Sequence, residues 1–474
     1  MRRRSVAALG AVVGMGLAAC GVEEPSPDPA SSAPATEDSA PATEETGAEQ
    51  VEIPDTAVGR AAQWALDQVA MESGPSAAEA AARFAPVFLE QVPAGEVEAV
   101  FEQLRAMGPF TPTSYTAHGN SAQAELRTGQ GGRMLLNVSV DDAELIQGLF
   151  LQPVPDIPDI EDAADAAAVV AEAAPRSAFL LAEMTEDGTC EPVRAVAEDE
   201  LLPVGSIFKL YVLGAVVDAV AAGDLSWGDT LTLTEESRSL PSGTLHEEPD
   251  GTEVSVREAA EAAVAISDNT ATDLLIAAVG RDRVEQVQAD LGHSAPEVNT
   301  PFLTTREMFQ LTTSDPELRA SWTDATGAEP LSTDPAVSER QRQLIEELPD
   351  WDRELDEDLT SQVAWPDGLD WFATAEDLCA GHARLQDLAG TPAGEPVRDI
   401  LAQNPGLATE DLAYVGYKGG SAVGEIAGSW YVETDDGDRY VLVIQLAGTD
   451  PAQVPDGGWL SAVATDALAG LADD

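Results

Sequence analysis

The sequence predicts an α+β protein built as two folded units, and three observations lead there. Between residues 51 and 153, three helix-like stretches precede four short alternating runs separated by glycine-containing turns. From 154 to 474, strand-like runs cluster near both ends and enclose a long helical middle. At 474 residues with 44% hydrophobic content, the chain holds material for two cores and for flanking segments besides.

The chain opens on Arg2, Arg3 and Arg4, followed by an apolar run over 5–19 too short to span a bilayer comfortably. That pattern reads as a signal segment over 1–20. It ends Leu17-Ala18-Ala19-Cys20-Gly21, which resembles a bacterial lipoprotein box. The resemblance implies cleavage before Cys20 and lipid on its sulfur, hence an exported protein anchored to the cell membrane on its extracellular side. Residues 21–50 are rich in Pro, Ser, Ala, Thr and Glu and hold no aromatic residue, so burial there cannot offset the entropy of ordering. They read as a disordered linker.

In the first unit, 51–153, helices are expected over 61–71, 77–91 and 95–107, where Phe84, Phe88 and Phe101 recur at near-helical intervals. Strands are expected over 110–117, 122–128, 133–140 and 144–151, punctuated by Gly119-Asn120 and Gly129-Gln130-Gly131-Gly132. Helices packed on one antiparallel meander follow from that order, and no residue here carries assigned chemistry.

In the second unit, 154–474, an alanine-rich helix within 156–174 leads to a hairpin, 177–184 and 190–197, turning on Glu186-Asp187-Gly188. Strands over 413–417, 428–433 and 439–446, with Asp435-Asp436-Gly437 as the last turn, precede a closing helix over 459–471. One sheet assembled from both ends of this unit would bring late residues beside early ones. Cys190 and Cys379 are free to pair in an exported protein or to stand as two buried thiols, and spacing does not decide between these.

Ser206 and Lys209 in Gly205-Ser206-Ile207-Phe208-Lys209 stand at the mouth of an apolar helix, three residues apart and so on one face. The whole chain holds two lysines, Lys209 and Lys418, against 22 arginines. Arginine does not lose its proton in a protein, whereas a desolvated lysine does. A lysine retained beside a serine is therefore a candidate base. Ser267-Asp268-Asn269 follows a helical stretch over 256–265, and Lys418-Gly419-Gly420-Ser421 lies at a strand edge. Read separately, the first is a set of helix-capping residues and the second a glycine-rich bend.

Ser-x-x-Lys, Ser-Asp-Asn about sixty residues on, and Lys-Gly-Gly-Ser on a late strand together resemble the penicillin-recognising serine hydrolases, the class A β-lactamases most closely. The resemblance covers roughly 160–474. It implies a β-lactamase/penicillin-binding-protein transpeptidase-like α/β domain with an insertion near 300–349. It also implies the roles. Ser206 is the nucleophile and neutral Lys209 its base. Ser267 relays a proton to the leaving group, and Asn269 holds the substrate amide and orients Lys209. Lys418 and Ser421 attract a substrate carboxylate. The backbone N–H groups of Ser206 and Ser421, beside Gly419 and Gly420, form the oxyanion hole.

Two departures bear on turnover. Class A enzymes activate the deacylating water with a glutamate followed four residues later by an asparagine. In the best register here those become Asp352 and Asp356, with Glu354 between them as a substitute; a rival register runs through Glu297 and Asn299. Second, no arginine follows Lys418 until Arg439. Both departures fit a weak lactamase or an esterase. The order of a lipoprotein box, a small α+β unit and a Lys-Gly-Gly-type domain is similar to the actinobacterial Cpe/LpqF group, which includes a two-domain protein encoded with clavulanic acid biosynthesis. That similarity implies a ketosteroid-isomerase/cystatin-like fold for the first unit.

The expected function is thus a serine hydrolase acting through an acyl-enzyme on a β-lactam, ester or related amide. The alternatives are a cell-surface binding or scaffolding lipoprotein on a degenerate fold, and a D-Ala-D-Ala carboxypeptidase-like enzyme. The expected partners are a small-molecule substrate and, through Cys20, a membrane, with the protein a monomer. A net charge of −61 excludes a basic nucleic-acid footprint. No cofactor and no metal are expected: His118, His246, His293 and His382 are scattered, without ligand spacing and without support for a Ser-His-Asp triad.

Overall fold

The computed structural model describes residues 51–471, apart from 52, 72, 90, 91, 130, 131, 142, 155, 156, 328–330, 357, 358, 408–411 and 470. The signal segment, the linker and Cys20 lie outside the described residues. The chain divides into two compact units, one ending at Pro155 and the other beginning at Asp156.

The first unit places α1 (Ala57–Ala70), α2 (Ala77–Arg83), α3 (Pro86–Leu89) and α4 (Val97–Met107) with an antiparallel meander, β1 (Phe110–His118), β2 (Ser121–Thr128), β3 (Arg133–Val140) and β4 (Ile146–Pro153), in that spatial order. Strict alternation gives the sheet one apolar face, with Ala122, Ala124 and Leu126 of β2 and Met134, Leu136, Val138 and Val140 of β3 buried. Trp64 packs edge-on to Phe84 and Phe101, at centroid separations of 5.7 and 5.8 Å. The single helix expected over 77–91 is two helices. Pro86 lacks an N–H and restricts Ala85, so the chain leaves the helix at Phe84, and the Ala85 N–H donates to Ile146 O at 2.8 Å.

The second unit opens with α5 (Ala163–Ala173), β5 (Arg176–Met184), β6 (Cys190–Val196) and β7 (Leu202–Pro203). A 3-10 turn, Gly205–Phe208, then runs into α6 (Lys209–Ala222). After β8 (Thr230–Thr232) and β9 (Glu253–Ser255) come α7 (Val256–Ala265), α8 (Asn269–Val279), α9 (Arg281–Asp290), α10 (Thr305–Thr313), α11 (Pro316–Thr326) and α12 (Pro335–Glu346). The rest is β10 (Phe372–Ala373), α13 (Ala375–Ala389), α14 (Val397–Leu401), β11 (Tyr414–Ala422), β12 (Glu425–Glu433), β13 (Arg439–Ala447) and α15 (Gly457–Ala469).

The main sheet runs β11-β12-β13-β5-β6, all antiparallel, so strands from both ends of the unit do meet in one sheet. One face packs on α5 and α15 through Val170, Trp430, Leu442 and Val463. The other packs on the helical middle through Leu180, Tyr431, Val443 and Leu378. The stretch Gly205–Ala222 is apolar and long enough to cross a bilayer, yet 72% of it is buried inside the unit, which makes it a core helix. The segment expected as an insertion is largely helical and contributes to the core. The N–H groups of Thr305 and Arg306, at the start of α10, each donate to the buried Asp273 carboxylate of α8 at 2.8 Å. Cys190, which begins β6, and Cys379 of α13 form a disulfide with Cα atoms 6.4 Å apart, resolving what spacing left open.

Candidate active site

The site forms where the Gly205–Phe208 turn, the loop before α8 and strand β11 converge. Phe208 stacks on Trp371 at 3.7 Å and meets Phe302 edge-on, which fixes the turn from behind. In front, β11 passes so close that only glycine fits. A Cβ on Gly420 would lie 2.0 Å from Val204 O and 2.7 Å from Ser206 N, and one on Gly205 would lie 2.8 Å from Ser421 N. The backbone N–H groups of Ser206 and Ser421 therefore flank one crevice, the arrangement an oxyanion needs.

Ser206 is half-buried, and Lys209 follows it on the next turn of the same face. Lys209 is 1% exposed. Its Nζ donates to Asn269 Oδ1 at 2.7 Å, to Ser267 Oγ at 3.0 Å and to Ser267 O at 2.5 Å. Burial, and after it the nearby Lys418 charge, push the Lys209 ammonium well below its ordinary range, with Asp273 and Asp268 opposing. Lys418, also buried, donates from Nζ to Ser267 Oγ at 3.0 Å and to Gly419 O at 2.7 Å, and burial lowers it to about 7. Ser267 Oγ thus bridges the chain's two lysines. An amine that starves for solvent is a base, and a hydroxyl between two amines can pass a proton from one to the other.

Local chemistry holds this arrangement. Ser267 sits at φ 57, a left-handed backbone that its neighbours enforce. Asp268 is fully buried and accepts from the N–H groups of Thr244, Leu245 and Ala271 at 2.7–2.8 Å, joining the Ser242 loop to the start of α8. Ser242 Oγ donates to Ser267 O at 2.6 Å, and Asn269 Nδ2 to Leu240 O at 3.1 Å. The capping character of Ser267-Asp268-Asn269 is real for Asp268, which caps α8. Its two neighbours turn to the lysines instead.

The structure brings together Ser206, Lys209, Ser267, Asn269, Lys418, Gly419, Gly420 and Ser421. It does not bring Asp352 or Glu354 to them. Both are exposed on an extended segment held by bonds from Arg306 to Trp351 O and from Trp351 Nε1 to Glu354 O, outside the cavity that Ser206 lines. That placement corrects the expected deacylation role. The rival register fares no better. Glu297 is exposed, and Asn299 is buried, tying β10 in place through Phe372 N and Phe372 O. Arg439 stands four residues along β13 from Val443, the residue opposite Ser429, and Ser429 in turn pairs with Lys418. That puts it about 13 Å along the sheet.

The cavity beside Ser206, about 350 Å³, is lined by two acids that no local pattern marks out among 85, Asp370 and Glu425. Asp370 Oδ1 accepts from Gly205 N at 3.0 Å and from Trp371 N at 2.7 Å, and its side chain faces Glu425. Thr305, Met308 and Phe309 of α10 line the same space, so the inserted helices shape the site.

Residues 163–336 match the model of the beta-lactamase enzyme family, and residues 53–146 match a model described as the ORF 12 gene product N-terminal region. No curated protein matches the chain. Among solved structures, a beta-lactamase from Sphaerobacter thermophilus is similar at 21% identity and TM-score 0.44, over 65% of this chain and 95% of its own. A beta-lactamase from Chitinophaga pinensis is similar at 17% identity and TM-score 0.44, over 65% and 97%. PBP-A is similar at 17% identity and TM-score 0.42, over 67% and 99%. The family match, over 163–336, supports a β-lactamase-like fold for the second unit.

Proposed function

We propose that the second unit is a serine hydrolase that acylates Ser206 on an ester, a β-lactam or a related amide. The observation that carries this is the hydrogen-bonded line from Lys209 through Ser267 to Lys418, with Lys209 buried and driven towards its neutral form. In this reading Ser206 Oγ attacks the substrate carbonyl while its proton passes to Lys209 Nζ. The carbonyl oxygen becomes an oxyanion facing the Ser206 and Ser421 N–H groups. Collapse of the intermediate breaks the bond to the leaving group, which takes a proton by way of Ser267. Water then releases the acyl group and restores the serine.

Asp352 and Glu354 are exposed and do not line the Ser206 cavity, which favours slow release of the acyl group, hence a weak lactamase or an esterase. Intact-mass analysis after exposure to a fluorescent penicillin and to an activated ester tests the reading. A Ser206 adduct that persists for minutes or longer is expected, and a folded protein that gains no mass from either reagent refutes it. A binding lipoprotein is the second reading, favoured by the same placement; it requires that Ser206→Ala leave the protein's biological effect intact.

The two family matches, in this order along the chain, support a two-domain lipoprotein of the Cpe/LpqF type. Helices with a four-stranded antiparallel meander support a ketosteroid-isomerase/cystatin-like first unit. The Cys190–Cys379 disulfide supports export to an oxidising compartment, where Cys20 would carry the membrane anchor.

A further inference from the structure

Asp370 and Glu425 form a buried carboxyl pair in the wall of the Ser206 cavity, 8% and 4% exposed. Asp370 spends its Oδ1 on the N–H groups of Gly205 and Trp371. Glu425 receives a hydrogen bond from no described donor to either oxygen; the Asp370 carboxyl faces it. Glu425 Oε1 also stands 3.1 Å from where a Cβ on Gly205 would lie, so the pair sits directly behind the residue preceding the nucleophile. Burying two carboxyl groups in contact is costly unless something compensates them.

Among the described residues the two carboxyls have each other and the two backbone N–H groups on Asp370, and no cationic side chain pairs with them. The nearby arginines are committed elsewhere, Arg176 to Glu200 and Leu201 O, and Arg319 to Asp367 and Val363 O. Asp370 and Glu425 are the only ionisable groups among the described lining residues, and Lys209 and Lys418 are engaged with Ser267. Burial, and then Asp370, push the Glu425 carboxyl far up, and burial lifts Asp370 to about 6. Two carboxyl groups in contact resist ionising together, so the pair favours sharing one proton and keeping one negative charge. The lining also carries the aromatic and apolar side chains of Phe208, Phe309, Trp365, Trp371, Met308 and Leu369, among hydroxyl and amide side chains such as Thr305, Thr312 and Gln362. A negative charge in the wall of a cavity that also holds aromatic side chains suits an organic cation.

We propose that the Asp370–Glu425 pair recognises a positively charged group, an alkylated ammonium, on the acyl portion of the substrate that Ser206 attacks. This rests on the hydrolase reading for the chemistry at Ser206, while the cation site stands on its own geometry. The protein's net charge of −61 acts in the same direction, drawing cations toward the cavity and repelling anions.

Calorimetric titration of the full chain tests the site without requiring turnover. The probes are a trimethylammonium-capped butyramide and its uncharged tert-butyl isostere. The cationic amide is expected to bind at least about tenfold more tightly, a margin that one ion pair with an aromatic face supplies. Glu425→Gln and, independently, Asp370→Asn are expected to abolish that preference; the two substitutions guard against misfolding of either. Equal binding of both amides to the wild-type protein overturns the proposal, as does a preference that survives in a folded Glu425→Gln variant. The matching p-nitrophenyl esters report separately on Ser206. Acylation by either ester upholds the hydrolase reading whatever the calorimetry finds. Cation preference in the amides without acylation by the esters upholds the site and removes the hydrolase.

Discussion

In the proposed reaction Lys209 is the residue on which the chemistry turns, because its side chain is stripped of water and held by oxygen atoms alone. Arginine would keep the positive charge and the reach but could not give up its proton. Lys209→Arg is therefore expected to slow acylation by at least about 100-fold, the scale of a lost general base. The measurement is single-turnover mass analysis, with thermal melting to confirm the fold. His382 gives a second test at this scale. It is fully buried, its Nε2 pairs with Ser429 Oγ at 2.7 Å, and burial lowers it to about 4 from an ordinary value of 6.5. Its folded-state value lies below the unfolded one, so the stability it contributes is complete above about 6.5 and is lost as pH falls toward 4. Wild type is expected to lose on the order of 3 kcal/mol more than His382→Gln across that interval, read by denaturant unfolding at each pH.

At the scale of elements, the site depends on a strand crossing a 3-10 turn at a separation that admits no side chain. Gly420→Ala would force β11 away from Val204 O and Ser206 N and so misalign the two N–H donors of the crevice. A loss of about 100-fold or more in acylation rate is expected, comparable to removing one oxyanion donor. Lys209 would keep its bonds to Ser267 and Asn269, neither of which lies on β11. A Gly420→Ala protein that acylated at the wild-type rate would remove the crevice from the mechanism. The helices α10 to α12 matter for a related reason. Asp273 anchors the start of α10, and α10 then supplies Met308 and Phe309 to the cavity.

At the scale of the whole molecule, the acidic charge governs approach. With a net charge of −61, encounter with an anionic ester is opposed and encounter with a cationic one assisted. Raising salt from low values to about 0.5 M screens both effects. The second-order acylation rate is expected to rise for the anionic ester and fall for the cationic one, while the fold holds. A fall for the anionic ester would contradict this account of approach.

The sequence by itself singled out the candidate nucleophile and the residues that the structure gathers beside it. Ser206, Lys209, Ser267, Asn269 and Lys418 stand in short local patterns, and the rarity of lysine singled out two of them. Local patterns are legible because turns and helix starts are set by neighbouring residues. The sheet joining both ends was legible too, from short apolar runs bounded by turn residues, as a sheet buried on both faces requires. What only the tertiary structure decided depends on residues far apart in the chain. The break at Ala85–Pro86, the disulfide and the helices between Thr305 and Glu346 belong here. So does the exposure of Asp352 and Glu354, which register alone had placed near the water-activating position. Asp370 and Glu425 are the clearest case: among 85 acidic residues neither carries a local mark. Their meaning comes from burial against each other beside Ser206, because the cost of an unpaired charge is fixed by the dielectric around it and not by the sequence around it.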